Sequence, residues 1–416
     1  MRRLLTVTLM TGLLTLLKML MGFIIAKVVA IYTGPTGMAM LGQLQSAVTG
    51  LNGIVSSPVG NGVIRYTAEN KDKTFDYCSP WWRASIQWVM IIFLLITPLG
   101  LVFSSYISEW LFHSKEYKWL MSLLLISLPF AALGTAISSV INGYKNYKRY
   151  VLLGMLSVLI SSVVMIALII NYGLHGALIA ASIQYPLIGL VMLVSNLNQP
   201  WFNLRYWIGR SNQLARHQMA SYIFMAITAA VMTPVALVLI RNILVAYSGW
   251  EVAGQWQAVW KISEVYLGVI TIAFSTYYLP QLSSLSDSKK LIKEIHTTAL
   301  IVVPIAAILA LIVYLLRDVA IDVLFTSEFK NARYLFAIQL CGDVIKIASW
   351  VYAYPMLSRG ATKWFVFSEM FFSVTLVLLA FTLIPIYGGH GANYAYLINY
   401  IVYLLFVVIN LKRITS

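Results

Sequence analysis

Long apolar runs, separated by short polar interruptions, follow one another along nearly the whole chain. A helix of roughly 20 apolar residues crosses the hydrocarbon of a bilayer, where only a helix or a closed barrel satisfies its own backbone. The runs lack the alternating pattern, roughly 10 residues long, of a membrane barrel. Hydrophobic residues make up 60% of the 416 residues, more apolar surface than a soluble core of this length hides. The sequence therefore predicts an all-α membrane protein.

About twelve runs are long enough to be transmembrane helices. Their predicted spans are 4–31, 37–64, 84–106, 119–143, 150–171, 176–197, 217–240, 252–279, 298–316, 334–357, 364–385 and 391–411. The first run is too long for the apolar region of a signal peptide, so we expect it to be retained as the first helix. The predicted connections are short, which leaves no room for an inserted soluble domain.

Basic residues are distributed unequally between the two sides of the predicted helices. With the connections numbered in order, the even connections and the termini hold 19 of the 29 lysines and arginines. The odd connections hold six: Lys115, Lys118, Arg241, Arg317, Lys330 and Arg333. Cytoplasmic loops carry the excess of Lys and Arg, so both termini are predicted to lie in the cytoplasm. The orientation of the helices accounts for the distribution of the basic residues, which form no basic tail or patch. The sequence therefore does not predict binding of nucleic acid.

Two short motifs recur in the two halves of the chain. The run YGLHGA at 172–177 matches YGGHGA at 387–392 at an offset of 215 residues, and GQLQ at 42–45 matches GQWQ at 254–257 at an offset of 212. These offsets predict two six-helix lobes, 1–200 and 217–416, joined by a cytoplasmic linker at 201–216. Six is even, so the lobes are expected to be related by a pseudo-twofold axis along the membrane normal. A cleft between such lobes is typical of an alternating-access carrier, whereas no selectivity-filter motif indicates a channel.

Ionisable residues within the spans are costly in a bilayer and normally face a polar interior. In the eighth span Gln257, Lys261, Glu264 and Gly268 share one helix face, and the offset of 212 projects this stripe onto Gln45, Thr49, Asn52 and Ser56. Lys18 shares a polar face with Thr11 and Thr15, whereas Lys27 either faces the cavity or snorkels to the interface. The predicted substrate-binding residues are Lys18, Gln45, Asn52, Gln257 and Lys261.

The remaining charges within the spans have two open interpretations. Glu264, Asp343, Lys346 and Glu369 either couple transport to an ion or form structural ion pairs, with Lys261–Glu264 and Asp343–Lys346 at i,i+3 spacing. Proline removes a helical hydrogen bond, so Pro58 and Pro234 are candidate hinges or static kinks.

No cofactor or metal site is predicted. The two cysteines fall in different halves, and the histidine of each repeated turn lacks neighbouring metal ligands in the sequence. Lysines within the spans instead suit an anionic group such as a diphosphate, which they would meet as point charges in a low dielectric. A cleft for organic cations would be lined mainly by carboxylates and aromatic side chains.

Several motifs together carry a resemblance to a known family. They are YTGPTG at 32–37 with Lys18 and Lys27 before it, GQWQ at 254–257, ISE at 262–264, FS at 274–275, LP at 279–280, LLRD at 315–318 and QLCGDV at 339–344. In this combination the chain resembles the Wzx-type polysaccharide flippases of the multidrug/oligosaccharidyl-lipid/polysaccharide exporter superfamily, the group that includes lipid III flippases and O-antigen translocases. The resemblance covers nearly the whole chain and implies the two-lobe fold of that superfamily.

The resemblance implies a function and partners. The expected function is translocation of an undecaprenyl-diphosphate-linked oligosaccharide from the cytoplasmic to the periplasmic leaflet of a bacterial inner membrane, for O-antigen or common-antigen synthesis. The expected partners are this lipid-linked substrate, membrane lipids, a polysaccharide polymerase and a chain-length regulator. The alternatives are a cation-coupled multidrug antiporter of the same superfamily, and a membrane polymerase or ligase, which would need a larger periplasmic loop.

We expect the Lys18→Ala variant to lose transport while it remains folded in the membrane. Lys18 has no acidic partner within its own span, so the substitution removes a positive charge from the predicted substrate path without leaving a carboxylate unpaired. The measurement is the transfer of a lipid-linked oligosaccharide between leaflets, with the amount of membrane-inserted protein as the control for folding. Normal transfer by Lys18→Ala would remove this residue from the substrate path.

Overall fold

The computed structural model describes residues 2–285 and 287–415. Nearly all of these residues are helical, and no strand occurs among them. The helices are α1 (Arg2–Ser56), α2 (Asn61–Glu69), α3 (Phe75–Val102), α4 (Ser104–Phe112), α5 (Lys118–Gly143), α6 (Tyr147–Asn196), α7 (Leu204–Trp207), α8 (Gln213–Ala273), α9 (Leu279–Ser284), α10 (Ser288–Leu315), α11 (Arg317–Leu324), α12 (Phe336–Ser358), α13 (Thr362–Tyr387), α14 (Gly389–Ile409) and α15 (Leu411–Thr415). The prediction of an all-α membrane protein is confirmed.

Glycines with positive φ interrupt the three longest helices. The interruptions lie at Gly34 in α1, Gly173 in α6 and Gly249 in α8, so each of these segments consists of two helices. Nine apolar segments in the described part of the chain are long enough to cross a membrane, and three of the nine contain these interruptions. The segments therefore correspond to the twelve predicted spans.

The glycines at these breaks recur with the same 215-residue spacing as the repeated YGxHGA motif. Gly173 has φ +53° and ψ −128°, and Gly388, 215 residues later, has φ +55° and ψ −131°. Gly34 and Gly249 are separated by the same 215 residues, with φ of +61° and +82° and extended ψ values. Side chains with a Cβ rarely adopt these conformations, so glycine is needed at each break. The duplicated motifs thus coincide with duplicated backbone geometry.

Several helices extend beyond the predicted spans. α3 begins at Phe75 and α10 at Ser288, nine and ten residues before the predicted starts. Asp287 caps α10 by accepting a hydrogen bond from the Lys289 amide at 2.9 Å. The hydropathy pattern locates only the apolar part of a helix. Polar turns, stabilised by capping and by water, extend the helix beyond that part.

The chain forms two compact units. The first contains the residues up to Val28 together with Gln43–Val235, and the second contains Val29–Gly42 and the residues from Ala236 onward. Inside the first unit, α5 and α6 approach so closely that a Cβ on Gly134 would lie 2.6 Å from the Cα of Gly189. Small residues permit this backbone contact, which is a common way for membrane helices to pack.

The predicted linker at 201–216 is packed against α3 within the first unit. Trp207 of α7 stacks on Trp82 of α3, with 4.9 Å between the ring centroids. Ser79 donates a hydrogen bond to the carbonyl oxygen of Tyr206 at 2.8 Å, and Arg83 donates one to the carbonyl oxygen of Arg205. This stretch is therefore a fixed part of the first unit. The lobe boundaries at 200 and 217 stay a prediction.

The second unit exposes an apolar helix face. α10 displays Leu300, Ile301, Ile305, Ile308, Leu311, Ile312 and Leu315, all of which are exposed. Its inner side packs Leu291 and Ile295 into a core with Phe274 and Ile347. A contiguous apolar surface of this kind is stable against lipid and costly in water. The chain is accordingly a multi-pass membrane protein.

The Gly189→Ala variant should be less stable than the wild type. The new Cβ would lie 1.9 Å from the Phe130 carbonyl oxygen, a backbone atom that cannot rotate away, so α5 and α6 must separate. Overpacking of this kind costs about 1–3 kcal/mol, which corresponds to a fall in apparent Tm of roughly 5 °C. The measurement is thermal unfolding of the detergent-solubilised protein. Gly12→Ala is the matched control, since no atom lies within 4 Å of its new Cβ; equal Tm values for the two variants would contradict the close packing.

Candidate functional site

A buried carboxylate lies in the second unit. Asp343 of α12 is 0% exposed. One of its oxygens accepts hydrogen bonds from Ser263 at 2.6 Å and Tyr266 at 2.7 Å, and the other accepts from Gln339 at 3.2 Å and Tyr396 at 2.8 Å. Burial of a carboxylate is costly unless its oxygens are hydrogen-bonded. This four-donor network joins α8, α12 and α14.

Lys346 lies one helical turn after Asp343, inside a box of aromatic rings. Its ammonium nitrogen is 5.0 Å from the ring centroid of Trp350, 5.3 Å from that of Tyr400, and 5.5 Å from those of Trp260 and Tyr396. Aromatic faces attract a cation, most strongly where water is excluded. The rings thus hold the Lys346 charge in a defined place.

The predicted i,i+3 pairs have different geometries. Lys261 and Glu264 form an ion pair of 3.2 Å, and the Trp260 indole also donates a hydrogen bond to Glu264 at 3.0 Å. Asp343 is instead hydrogen-bonded by four neutral side chains, while the Lys346 ammonium faces aromatic rings. The two pairs therefore differ in character, although their sequence spacing is the same.

A cavity of about 140 Å³ lies beside this network. Its wall is formed by α8, α12 and α14 through Trp260, Ser263, Glu264, Leu267, Gly268, Thr271, Gln339, Lys346, Trp350 and Tyr396. Gln339 is 1% exposed, and its amide oxygen has no hydrogen-bond partner. The cavity therefore offers both hydrogen-bonding groups and aromatic surface to a ligand.

A buried arginine was missed by the sequence analysis. Arg241 was predicted to lie in an outer connection, and this prediction is wrong because α8 continues through it as far as the break at Gly249. Arg241 is 2% exposed and donates a hydrogen bond to Gln257 at 2.8 Å. The apolar run that resumes at Ile243 was the signal that the helix continues. Arg241 consequently adds a positive charge to the interior of the second unit.

Gln257, a predicted substrate-binding residue, is 5% exposed, and its side chain packs closely against its neighbours. Besides accepting from Arg241, its side chain covers Gly42, where a Cβ would lie 2.5 Å from the Gln257 amide carbon. Gly254 likewise touches the backbone of Pro35. These contacts belong to the second unit and hold residues 29–42 on α8.

The predicted substrate-binding residues of the first unit lie on α1. Lys18 is exposed, Gln45 is partly buried, and Asn52 accepts a hydrogen bond from Ser56 at 3.0 Å. Lys27 is partly buried. In the second unit Glu369 of α13 is partly buried and lies outside the wall of the cavity described above. The roles predicted for these residues stay predictions.

The two prolines predicted as hinges lie in the first unit. Pro58 is buried in a short 3₁₀ turn, Ser57–Val59, between α1 and α2. Pro234 lies in α8, where a Cβ on Gly50 would be 3.6 Å from the Pro234 Cβ. Pro58 thus marks a real interruption of the helix, and Pro234 packs beside a glycine. Their hinge role stays a prediction.

Among residues 2–285 and 287–415, no group of three or more His, Cys, Asp and Glu side chains could hold a metal ion. His175 of the first repeated turn lies 3.8 Å from Glu116. Cys78 is buried and Cys341 is exposed, and both are free thiols.

Removal of the Asp343 carboxylate should lower the free energy of unfolding. The loss should be larger when more hydrogen-bond donors are left without an acceptor. In Asp343→Leu all four donors are left without it, and we expect a loss of at least about 3 kcal/mol. Asp343→Asn keeps one acceptor oxygen and the shape of the side chain, so its loss should be nearer about 1 kcal/mol. Thermal unfolding of the solubilised variants measures both; equal Tm values for Asp343→Leu and the wild type would refute the structural role.

Comparisons with known proteins place these features in context. No known family model matches the chain. The chain is 28% identical over 400 residues to the protein named Lipid III flippase of Escherichia coli (strain K12), and the match covers 95% of each chain. The Lipid III flippase of Shigella flexneri matches with the same identity and coverage.

Solved structures share the fold at low sequence identity. An inward-facing multidrug resistance MATE family transporter of the MOP superfamily has a TM-score of 0.78 at 13% identity, with 95% of each chain covered. A MOP superfamily transporter from Pyrococcus furiosus has a TM-score of 0.65 at 13% identity, covering 100% of this chain and 96% of its own. The resemblance predicted from the sequence is confirmed: the chain is similar to Lipid III flippases over 95% of its length and has the fold of the MOP superfamily transporters.

Proposed function

We propose that this protein is a flippase, which moves an undecaprenyl-diphosphate-linked oligosaccharide from the cytoplasmic to the periplasmic leaflet by alternating access. The observation that carries the proposal is the similarity to proteins named Lipid III flippase along 95% of the chain. The length of the match matters, because it includes both halves of the duplicated chain.

The charges inside the helices support an anionic substrate. Lys18, Lys261, Lys346 and the buried Arg241 are basic, and Glu264, Asp343 and Glu369 are the acidic residues predicted within the spans. A diphosphate needs fixed positive charge when it leaves water, since an ion in a low dielectric is stabilised mainly by its counter-charges. Lys18 and Lys261 are proposed as contacts for the diphosphate, with Gln45, Asn52 and Gln257 as polar neighbours.

The membrane potential favours the proposed direction of transport. With the cytoplasm negative, the outward movement of an anion gains roughly 2.3 kcal/mol per charge per 100 mV. Glu264, Asp343 and Glu369 are the candidate sites if ion exchange contributes as well. Asp343 also has the structural role described above.

The cellular setting follows from the same proposal. We place the protein in a bacterial inner membrane with both termini in the cytoplasm, on the basis of the 19 basic residues assigned to that side. Alternating access of lobes 1–200 and 217–416 would use Pro58 and Pro234 as hinges within their own helices. A polysaccharide polymerase and a chain-length regulator would use the product at the periplasmic face.

A cation-coupled multidrug antiporter is the second candidate, because the solved structures with the same fold include MATE transporters. Similarity at 13% identity indicates the fold and leaves the substrate open. An antiporter would take organic cations, and the basic side chains inside the helices (Lys18, Arg241, Lys261 and Lys346) argue against such a cargo. The third candidate, a membrane polymerase or ligase, lacks support from the relatives, which are named as flippases and transporters.

Transport by the purified protein in vesicles tests the proposal. The substrate is undecaprenyl diphosphate carrying a short fluorescent oligosaccharide, and the readout is the fraction that a membrane-impermeant quencher reaches. In protein-free vesicles we expect the quencher to reach only the fluorescent lipid of the outer leaflet. In vesicles that contain this protein, the quenched fraction should exceed that value.

A parallel assay distinguishes the second candidate. The same vesicles, loaded with a cationic dye under a proton or sodium gradient, should show no gradient-dependent dye movement. Dye transport without transfer of the lipid-linked oligosaccharide would overturn the flippase proposal in favour of the antiporter.

A further inference from the structure

A groove on the first unit lies apart from the site described above. It has a volume of about 560 Å³ and lies between α3 and the segment 207–216. Ile86, Met90 and Ile91 of α3 line one side, and Ile208 lines the other. The last three of these side chains are exposed. The groove is therefore open, and much of its lining is apolar.

A cation lines the same groove. Arg216 of α8 is exposed, and its backbone carbonyl oxygen accepts a hydrogen bond from the Trp88 indole at 3.3 Å. In the part of the chain that the structure describes, no ion pair involves Arg216. The charge of its guanidinium is therefore available to an anion.

The surroundings of the groove are basic. The guanidinium of Arg83 lies beside Gly209, where a Cβ would be 3.2 Å from the Arg83 Cζ atom. The sequence between 77 and 250 contains only two acidic residues, Glu109 and Glu116, and neither lines the groove. An open groove with positive charge and without carboxylates attracts anions.

Hydrogen bonds hold the two sides of the groove together. Gln87 of α3 donates to the carbonyl oxygen of Gly209 at 2.9 Å, and Ser211 donates to the amide oxygen of Gln87 at 2.5 Å. Trp207, which also lines the groove, stacks on Trp82 of α3. The groove is thus preformed, which lowers the entropic cost of binding a ligand.

These features favour an anionic phospholipid as the ligand. An arginine can bind a phosphate through two parallel N–H···O bonds, and basic pockets on the cytoplasmic side of membrane helices bind anionic lipid head groups. Exposed Leu94, Leu95 and Leu99 continue the apolar surface along α3, where an acyl chain can lie. A free phosphate would contact Arg216 and leave the apolar sides of the groove without a partner.

We propose that this groove binds one anionic phospholipid of the cytoplasmic leaflet. The phosphate would contact Arg216, and the first part of an acyl chain would lie against Ile91 and Ile208. Trp88 and Trp207 suit this depth, because tryptophan is enriched where a bilayer meets water. The proposal adds a lipid site to the first unit and does not depend on which substrate the protein transports.

Native mass spectrometry of the full-length protein in detergent, with phosphatidylglycerol as the probe, tests the site. Arg216→Gln should raise the Kd of this lipid about tenfold, the effect of losing a hydrogen bond between charged groups. Arg216→Lys keeps the charge and should recover part of the lost affinity. Phosphatidylcholine, whose head group has no net charge, should bind the wild type more weakly and respond little to Arg216→Gln.

A matched control separates the groove from a general effect of charge. Lys148→Gln removes one exposed positive charge from the same predicted side of the membrane, outside the groove, and should bind phosphatidylglycerol as the wild type does. Each variant is first checked for an unchanged elution volume and a Tm close to that of the wild type. The preference of the wild type for phosphatidylglycerol over phosphatidylcholine is measured without any variant.

A photoreactive phosphatidylglycerol, with a diazirine near the start of one acyl chain, locates the bound lipid. Peptide mapping should find label within 86–91 and 207–216. Arg216→Gln should lose most of this label, whereas Lys148→Gln should keep it.

Four outcomes would overturn the proposal. They are equal Kd values for Arg216→Gln and Lys148→Gln, label absent from both segments, displacement of the lipid by inorganic phosphate, and displacement by an equimolar amount of undecaprenyl diphosphate. The third would assign the groove to a soluble anion, and the fourth would assign it to the transported lipid. Failure of the flippase proposal gives a different result, because phosphatidylglycerol would still bind while the lipid-linked oligosaccharide would not cross between leaflets.

Discussion

The requirement to pair a carboxylate inside an apolar helical bundle organises the second unit. Asp343 has no access to water and receives four hydrogen bonds from side chains on three helices. In lipid there is little hydrophobic attraction between helices, so directional polar contacts and close packing determine how they associate. Satisfying Asp343 therefore fixes the mutual register of α8, α12 and α14. The same register brings Trp260 of α8 and Tyr396 of α14 to the cavity wall beside Lys346 of α12.

The polar groups around Asp343 are hydrogen-bonded, whereas one neighbouring amide oxygen has no hydrogen-bond partner. Around Asp343 each of the four donors has its acceptor. One helical turn earlier, the amide oxygen of Gln339 has no partner, although its nitrogen belongs to the same network. A satisfied network of this kind holds the side chains beside the cavity in defined places. Lys346, enclosed by aromatic rings, is positioned in the same way.

Much of the fold could be predicted from hydropathy alone. The twelve apolar runs and the repeat offset of 215 agree with nine long segments and with glycine breaks at Gly34, Gly173 and Gly249. The prediction fails at Arg241 because a charged residue usually ends an apolar run, whereas α8 continues through this one. A buried arginine bonded to a glutamine partner 16 residues away can instead lie within a helix, and only spatial contact reveals that partner.

The candidate site was predictable only in part. The stripe containing Gln339, Asp343 and Lys346 follows from helical periodicity within one segment. The hydroxyl groups of Tyr266 and Tyr396, which complete the Asp343 network, belong to other helices, and their approach depends on three-dimensional packing. Sequence spacing likewise suggested an Asp343–Lys346 pair, whereas the neighbours of these two side chains come mainly from α8 and α14.

In the proposed transport a lipid-linked oligosaccharide enters the polar interior of the protein. Photo-cross-linking tests it directly, with an undecaprenyl-diphosphate sugar that carries a diazirine on its N-acyl group, followed by peptide mapping of the labelled protein. We expect label on the wall of the cavity, within 260–271 and 339–350, and competition by unlabelled lipid-linked sugar. Label confined to exposed apolar side chains such as Leu300 and Phe381, with none in the cavity wall, would contradict it.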